Sequence, residues 1–503
     1  MHALVVALLL GQQPDAAALK RTVEVEAAAV ERAPEDTEAL YRLGLAHLSL
    51  GQAKKAVAAL EQLVKADPES LDGKLLLARA YRAAGDVDKA KTLLDRAILE
   101  VPDDASLHAE RGLLARGMGE LSVAVTHFTR ASELSPGDAN LLFNLGEALQ
   151  AGRNLEQAIV TYKKALALKG ELTQARVNLG KALAEKGLYG EAKEVLTQVN
   201  RDTLGDAEAH YNLGVIYMRE GSVAQAVTEF ERALAVAPKH AQALNNLGVA
   251  SDARGETRKA LEWFKKATAA DPTFAEAHFN TGMSLMALNQ ERAAAAAFEK
   301  ALKLEPGSEG PYLQLGGLYL KQGKKDRALE AFKKAIATVE QEDQKAGAFK
   351  LLRRWNERKS NSDAYRGLAL TYLAMGKVED AVATLKAAVD KLPKDPSARA
   401  ALGEALLAQK DFDGAIAQFK ERVTLEPTTE ARLDLANAWV KKRVVKEAEP
   451  LYREVLKAEP GNRDARMGLV DLWLSMGRYA DAEGLLKEAL KDDENDVQAL
   501  SRF

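Results

Sequence analysis

Thr37 to Ser70 reads TEALYRLGLAHLSLGQAKKAVAALEQLVKADPES, and the same 34-residue pattern returns along the chain to its end. Counted from Thr37, position eight is small (Gly44) and position twenty is alanine (Ala56). The pair recurs as Ala78/Ala90, Gly112/Ala124, Gly146/Ala158, Gly180/Ala192, Gly214/Ala226, Gly248/Ala260, Gly282/Ala294 and Gly316/Ala328. After an interruption come Ala369/Ala381, Gly403/Ala415, Ala436/Ala448 and Val470/Ala482, which makes thirteen repeats with alanine at position twenty in all of them. Two antiparallel helices approach closely only where their crossing carries almost no side chain, so these positions mark a crossing. Position twenty-four supplies a plug for the remaining space: Leu60, Leu94, Phe128, Tyr162, Leu196, Phe230, Phe264, Phe298, Phe332, Leu385, Phe419, Tyr452 and Leu486.

A break separates the two helices of each repeat, often at a glycine such as Gly51, Gly85 or Gly221, which suits a left-handed helix end. Proline closes the second helix at Pro68, Pro102, Pro136 and six later equivalents, because it cannot continue the hydrogen-bond ladder. On these positions the chain resembles tetratricopeptide-repeat proteins over residues 37–496, apart from one insertion. The resemblance implies an all-α fold, a right-handed superhelical solenoid of about thirteen 34-residue helix-turn-helix repeats. It also implies that the first helices line a concave groove that binds polypeptide.

The domain reading follows the period. Residues 1–18 read as a signal peptide, 19–36 as an N-terminal capping helix, and 37–342 as an array of repeats 1–9. A basic amphipathic insertion or hinge occupies 343–361, repeats 10–13 occupy 362–496, and 497–503 form a C-terminal helix stub. The signal reading rests on the apolar run Ala3 to Leu10 and the small residues Ala16, Ala17 and Ala18, although no Lys or Arg precedes the run. The alternative is that the run covers the exposed end of the first repeat. Export implies a periplasmic or secreted protein; without it the chain is cytoplasmic. The insertion carries Lys350, Arg353, Arg354, Trp355 and Arg358, a docking patch for an acidic partner or lipid headgroups, or else a solvated amphipathic helix over a break in the stack.

Composition excludes much. The 503 residues hold 70 Lys+Arg against 73 Asp+Glu, a net charge of -3, which argues against nucleic acid and against a bulk electrostatic membrane partner. The chain has no cysteine, so disulfides, cysteine zinc sites, thiol nucleophiles and iron–sulfur ligation are absent. No HExxH, GxSxG, phosphate-loop or dinucleotide motif occurs, so no catalytic residue, metal ligand or cofactor is assigned. His108, His210 and His278 share position four and read as packing residues. No segment reaches the roughly 20 apolar residues of a transmembrane helix. Oligomeric state is not legible.

In this resemblance the groove is lined by positions two, five, six, nine, twelve and thirteen of each first helix. Position six is distinctive: Asn144, Asn178, Asn212, Asn246 and Asn280 recur at 34-residue steps, with Gln314 following. An amide offers one acceptor and one donor group, the pair needed to hold a peptide unit whatever its side chain. These asparagines resemble those of the repeat region of O-linked N-acetylglucosamine transferase; the bland alternative is a family consensus without a ligand. Phe143, Tyr211, Met218, Phe279, Met283 and Met286 flank them as adaptable apolar contacts. The expectation is a non-enzymatic scaffold or adaptor that binds extended polypeptide and assists a bacterial envelope complex. The alternative is a substrate-recruiting subunit of an enzyme whose catalytic chain is separate.

Overall fold

The computed structural model describes residues 16–202, 205–345, 356–492 and 500–501. Among the described residues the regular structure is α-helix alone, beginning with a lone helix Ala16–Arg32 and continuing as paired helices. Repeat 1 shows how sequence sets each boundary. Asp36 accepts hydrogen bonds from the backbone N–H groups of Glu38 and Ala39, which starts the first helix at Thr37–Ser49. Gly51 turns the chain at φ 70°, the second helix runs Ala53–Ala66, and Pro68 follows its end. Ser70, Asp104 and Asp138 cap the next three first helices in the same register.

The small residues at position eight have a more specific role than a general helix crossing. A Cβ built on Gly44 would lie 2.5 Å from the Leu60 side chain, and one on Gly146 would lie 2.5 Å from the Tyr162 ring. Gly214 against Phe230 (2.5 Å), Gly282 against Phe298 (2.5 Å) and Gly403 against Phe419 (2.6 Å) repeat the arrangement. The plug at position twenty-four therefore occupies the volume that a side chain at position eight would need. Ala56, Ala158, Ala226 and their equivalents at position twenty are fully buried beside it, as are the plugs Leu60, Phe128, Tyr162 and Phe230. Such contacts pack the two helices of a repeat at interior density.

The inter-helix turn has a second constant feature. Gly51, Gly85, Gly119, Gly187, Gly221, Gly255, Gly323, Gly376 and Gly477 all adopt positive φ. Arg153, Asn289, Lys410 and Arg443 stand at the same position of the four remaining repeats, with φ between 58° and 65°. The turn geometry thus prevails over the side chain.

Contacts divide the chain into two compact units, 1–246 and 247–503, with the boundary inside helix Ala241–Ala253. Within each unit the helices stack in chain order, and in a run of repeats in each unit consecutive first helices also touch. In the first unit this links Thr37–Ser49, Leu71–Ala84, Ala105–Gly117, Ala139–Ala151, Thr173–Glu185 and Ala207–Arg219. In the second it links Glu309–Lys321, Asn356–Ala374, Pro396–Gln409, Thr429–Lys441 and Arg463–Ser475. Among the described residues no comparable contact joins consecutive second helices. In these two runs the first helices are therefore the more closely spaced row, and their outward side chains form one continuous face in each run. No described helix is long and apolar enough to cross a membrane.

Two adjacent glycines give a signed test. A Cβ on Gly316 would lie 2.7 Å from the Phe332 ring, whereas one on Gly317 meets nothing within 4 Å. Alanine gains up to about 1 kcal/mol of helix propensity over glycine, and overpacking costs about 1–3 kcal/mol. Gly317→Ala should raise the thermal midpoint and Gly316→Ala should lower it. Arg443→Gly should stabilise the chain by about 0.5–1 kcal/mol, the left-handed strain of about 1–2 kcal/mol being partly offset by a more flexible unfolded state. Denaturant titration of each variant measures both.

Candidate functional site: the face of the first helices

On the first-helix face, position two is exposed at Asn140, Gln174, Glu208 and Gln242, and position thirteen at Glu185 and Arg219. Position six lies deeper. Asn144, Asn178 and Asn246 in the first unit and Asn280 in the second are half-buried, and Asn212 is buried with 8% of its surface exposed. Where position six is glycine, the reason for this depth is visible. A Cβ on Gly367 would lie 2.3 Å from Phe332 and one on Gly468 would lie 2.7 Å from Tyr452, the plugs of the preceding repeats. Position six thus sits over the seam between repeats, with its amide at the edge of the face.

The amides are not equivalent. Asn178 donates to a Glu147 carboxylate oxygen at 3.4 Å and accepts from Gln174 at 3.3 Å. Asn212 donates to the Glu208 carbonyl of its own helix at 2.8 Å, so one of its two N–H donors is committed. Phe143, Tyr211 and Phe279 at position five lean against the plugs of their own repeats, with ring centroids 6.2 Å from Tyr162, 6.0 Å from Phe230 and 5.6 Å from Phe298. They are half-buried, and Val177 is fully buried. Met218 and Met286 are half-buried and Met283 is 39% exposed.

Around Asn178 the first unit forms an open polar cavity of about 370 Å³, lined by Glu147, Gln150, Arg153, Tyr162, Lys181 and Glu185. Tyr162 donates its hydroxyl to Gln150 at 3.0 Å, and Gln150 donates to Glu185 at 3.1 Å. Burial, then the Glu147 charge, pushes the Tyr162 phenol well above its ordinary value, so it remains a donor at neutral pH. Arg116 pairs with Glu147, and Arg79 and Arg82 pair with the buried Glu110, which carries charge compensation from one first helix to the next. Sequence reading missed Glu147, Gln150 and Lys181. Their signal was polar side chains at positions nine and twelve, which many other repeats fill with aliphatics or methionine.

Position four is a hydrogen-bonding position. His108 and His278 donate from Nε2 to the carbonyls of Pro102 and Pro272 at 3.0 and 3.1 Å. Arg176, Arg399, Arg432 and Arg466 reach Gly170, Pro393, Pro427 and Pro460 in the same way. Each ties a first helix to the turn that precedes it. His210 faces Glu229 at 2.7 Å. No group of His, Asp and Glu able to hold a metal ion occurs among the described residues. Of the basic patch, Lys350, Arg353, Arg354 and Trp355 lie outside the described residues; Arg358 stands in helix Asn356–Ala374, its side chain outside them as well.

Stacked helical hairpins with a closely spaced row of first helices define a repeat solenoid. Three family profiles described as tetratricopeptide repeat match it: one at residues 47–117, 285–346 and 445–502, a second at 205–273, and a third at 16–70, 109–172 and 366–427. The chain belongs to the tetratricopeptide-repeat proteins. No curated protein matches it in sequence. Among solved structures, the APC/C hetero-tetramer Cut9-Hcn1 is 15% identical over 92% of this chain and 95% of that one, with a TM-score of 0.42. Yeast Tom70 is 18% identical over 84% and 93%, with a TM-score of 0.38. MamA is 28% identical over 32% and 95%, with a TM-score of 0.29.

His127 supplies a pH test. Its Nδ1 lies 3.0 Å from His108 Nδ1, and since His108 Nε2–H donates to Pro102, the shared proton belongs to His127. Burial first, then His108 and Arg111, lower the His127 imidazole below its ordinary value, against a smaller opposing effect of Asp95. A lowered histidine resists protonation on folding, so the fold is fully stable above about pH 6.5 and loses stability as pH falls below that value. Thermal melts between pH 7.5 and 5 should show that loss, and His127→Gln should reduce it.

Proposed function

We propose that the protein is a non-enzymatic scaffold whose first-helix face binds extended polypeptide through the position-six amides, and that it serves assembly of a bacterial envelope complex. One observation carries the binding reading: half-buried amides at Asn144, Asn178 and Asn246 stand at the seams of a face whose outer positions are exposed. An extended peptide presents an N–H and a C=O at each residue, and a side-chain amide supplies their complements without selecting a sequence. Asn144 and Asn246 make no side-chain hydrogen bond among the described residues, so both groups are available to a ligand. Asn178 would exchange a long bond to Glu147 for one to the peptide. The apolar contacts of Met218 in the first unit, and of Met283 and Met286 in the second, adapt to varied side chains, which fits broad recognition. For compartment, the apolar run Ala3 to Leu10 and the absence of cysteine support export.

Replacing Asn144, Asn178, Asn212, Asn246 and Asn280 together by alanine should leave the helical melt within a few degrees of wild type, because alanine favours helix. The variant should lose at least tenfold in affinity for polypeptides that the wild type captures from native-source lysate. Unchanged capture would contradict the reading. Mass spectrometry of the mature N-terminus tests export, with an intact Met1 counting against it.

A further inference from the structure

The face of the first helices changes chemistry along the chain. Across repeats 2–5, positions two, six, nine, twelve and thirteen hold four carboxylates (Asp72, Glu110, Glu147, Glu185) and four cations (Arg79, Arg82, Arg116, Lys181). Ion pairs between neighbouring first helices consume much of that charge. Across repeats 10–13 the same positions hold six carboxylates (Asp363, Glu404, Glu430, Asp434, Asp464, Asp471) against Lys441 alone. Four cations of these helices are directed elsewhere. Arg399, Arg432 and Arg466 fold back onto the turns before their own helices, and Arg366 is held by Asp363.

An apolar ridge runs beside this charge. Position twelve is Leu373, Leu407, Val440 and Leu474 in the four successive repeats, with Leu370 at position nine of the first of them. Leu370 is 46% exposed and Val440 37% exposed, and the other three are half-buried. All four first helices belong to the second compact unit and touch in sequence, so ridge and carboxylates share one face.

We propose that the first-helix face of repeats 10–13 docks a cationic amphipathic polypeptide segment, in which Lys or Arg alternates with aliphatic residues. The proposal rests on the reading that first helices bind polypeptide, and adds the chemistry of the partner. Aliphatic side chains cover the ridge, and the cations meet Glu404 and Asp464, both exposed. Glu404 and Asp464 make no ion pair among the described residues, while Arg422, from the second helix of repeat 11, holds both Glu430 and Asp434. Even so the Asp434 carboxyl is raised above its usual range, by burial first and then by Glu404 and Glu430 against the opposing effect of Arg422. Carboxylates here repel one another across the helix row, and a cationic ligand relieves that repulsion as it binds.

The test is fluorescence anisotropy of a labelled peptide of about twelve residues alternating Lys and Leu, with a Glu–Leu peptide as its counterpart. The full chain, the double variant Glu404→Lys/Asp464→Asn and the five-asparagine variant are titrated with each. We expect the Lys–Leu peptide to bind wild type at least tenfold more tightly than the Glu–Leu peptide, with affinity falling as salt rises. The double variant should lose at least tenfold in affinity for the Lys–Leu peptide with its helical melt unchanged, Glu404→Gln alone should lose less, and the five-asparagine variant should bind as wild type does. Wild-type affinity in the double variant overturns the assignment of this face. Equal binding of both peptides by wild type overturns the cationic partner. Loss confined to the five-asparagine variant overturns this site while leaving polypeptide binding at the amides intact.

Discussion

The approach of one aromatic or aliphatic plug to the small residue at position eight, glycine in nine of the thirteen repeats, is the constraint on which the rest of the structure depends. Where position eight is glycine there is no room for a Cβ beside the plug, as Gly146 with Tyr162 and Gly248 with Phe264 show. That contact fixes how deeply the two helices of a repeat interlock. It also fixes which side of the first helix faces its partner. With positions eight and twenty committed to the interior, positions two, nine and thirteen are left to face outward. The exposed first-helix face, where we propose that polypeptide binds, follows from the packing.

Stacking then adds a second requirement. Position six meets the plug of the preceding repeat, so its residue must tolerate half-burial, and glycine, asparagine and aspartate meet that in different ways. Glycine leaves the plug bare, as at Gly367. Asparagine keeps a polar group at the rim, and Asp434 does so with a charge that Arg422 holds. The position-four side chains secure the turn between repeats by reaching back to a proline or glycine carbonyl. One register thus serves packing, stacking and recognition, and a change at one position passes to its neighbours in the stack.

Much of the fold was legible in the sequence because its determinants recur at fixed spacing. Gly51, Gly85 and their equivalents read as left-handed turns and are so; Arg153 and Lys410 occupy the same turn without the residue that announces it. The site was less legible because its determinants lie between repeats. Phe143, Tyr211 and Phe279 read as groove residues from their position, but their rings lean on Tyr162, Phe230 and Phe298, a pairing that depends on side-chain direction. The five asparagines read as one ladder, whereas Asn212 turns its amide onto its own helix and Asn178 turns toward Glu147. The cavity of Glu147, Gln150 and Glu185 joins residues one repeat apart that carry no shared motif. The histidines at position four read as packing residues because the carbonyls they reach belong to turns whose geometry no residue type specifies.

The central claim is that polypeptide binds to the row of first helices and not to the second helices. Site-specific photo-crosslinking tests it most directly, with a photoreactive residue placed either at Lys181, exposed on the first-helix face, or at Lys163, exposed on the adjacent second helix. Irradiation with bound polypeptide should give adducts from Lys181 and none above background from Lys163. Adducts from Lys163 with none from Lys181 would contradict the account.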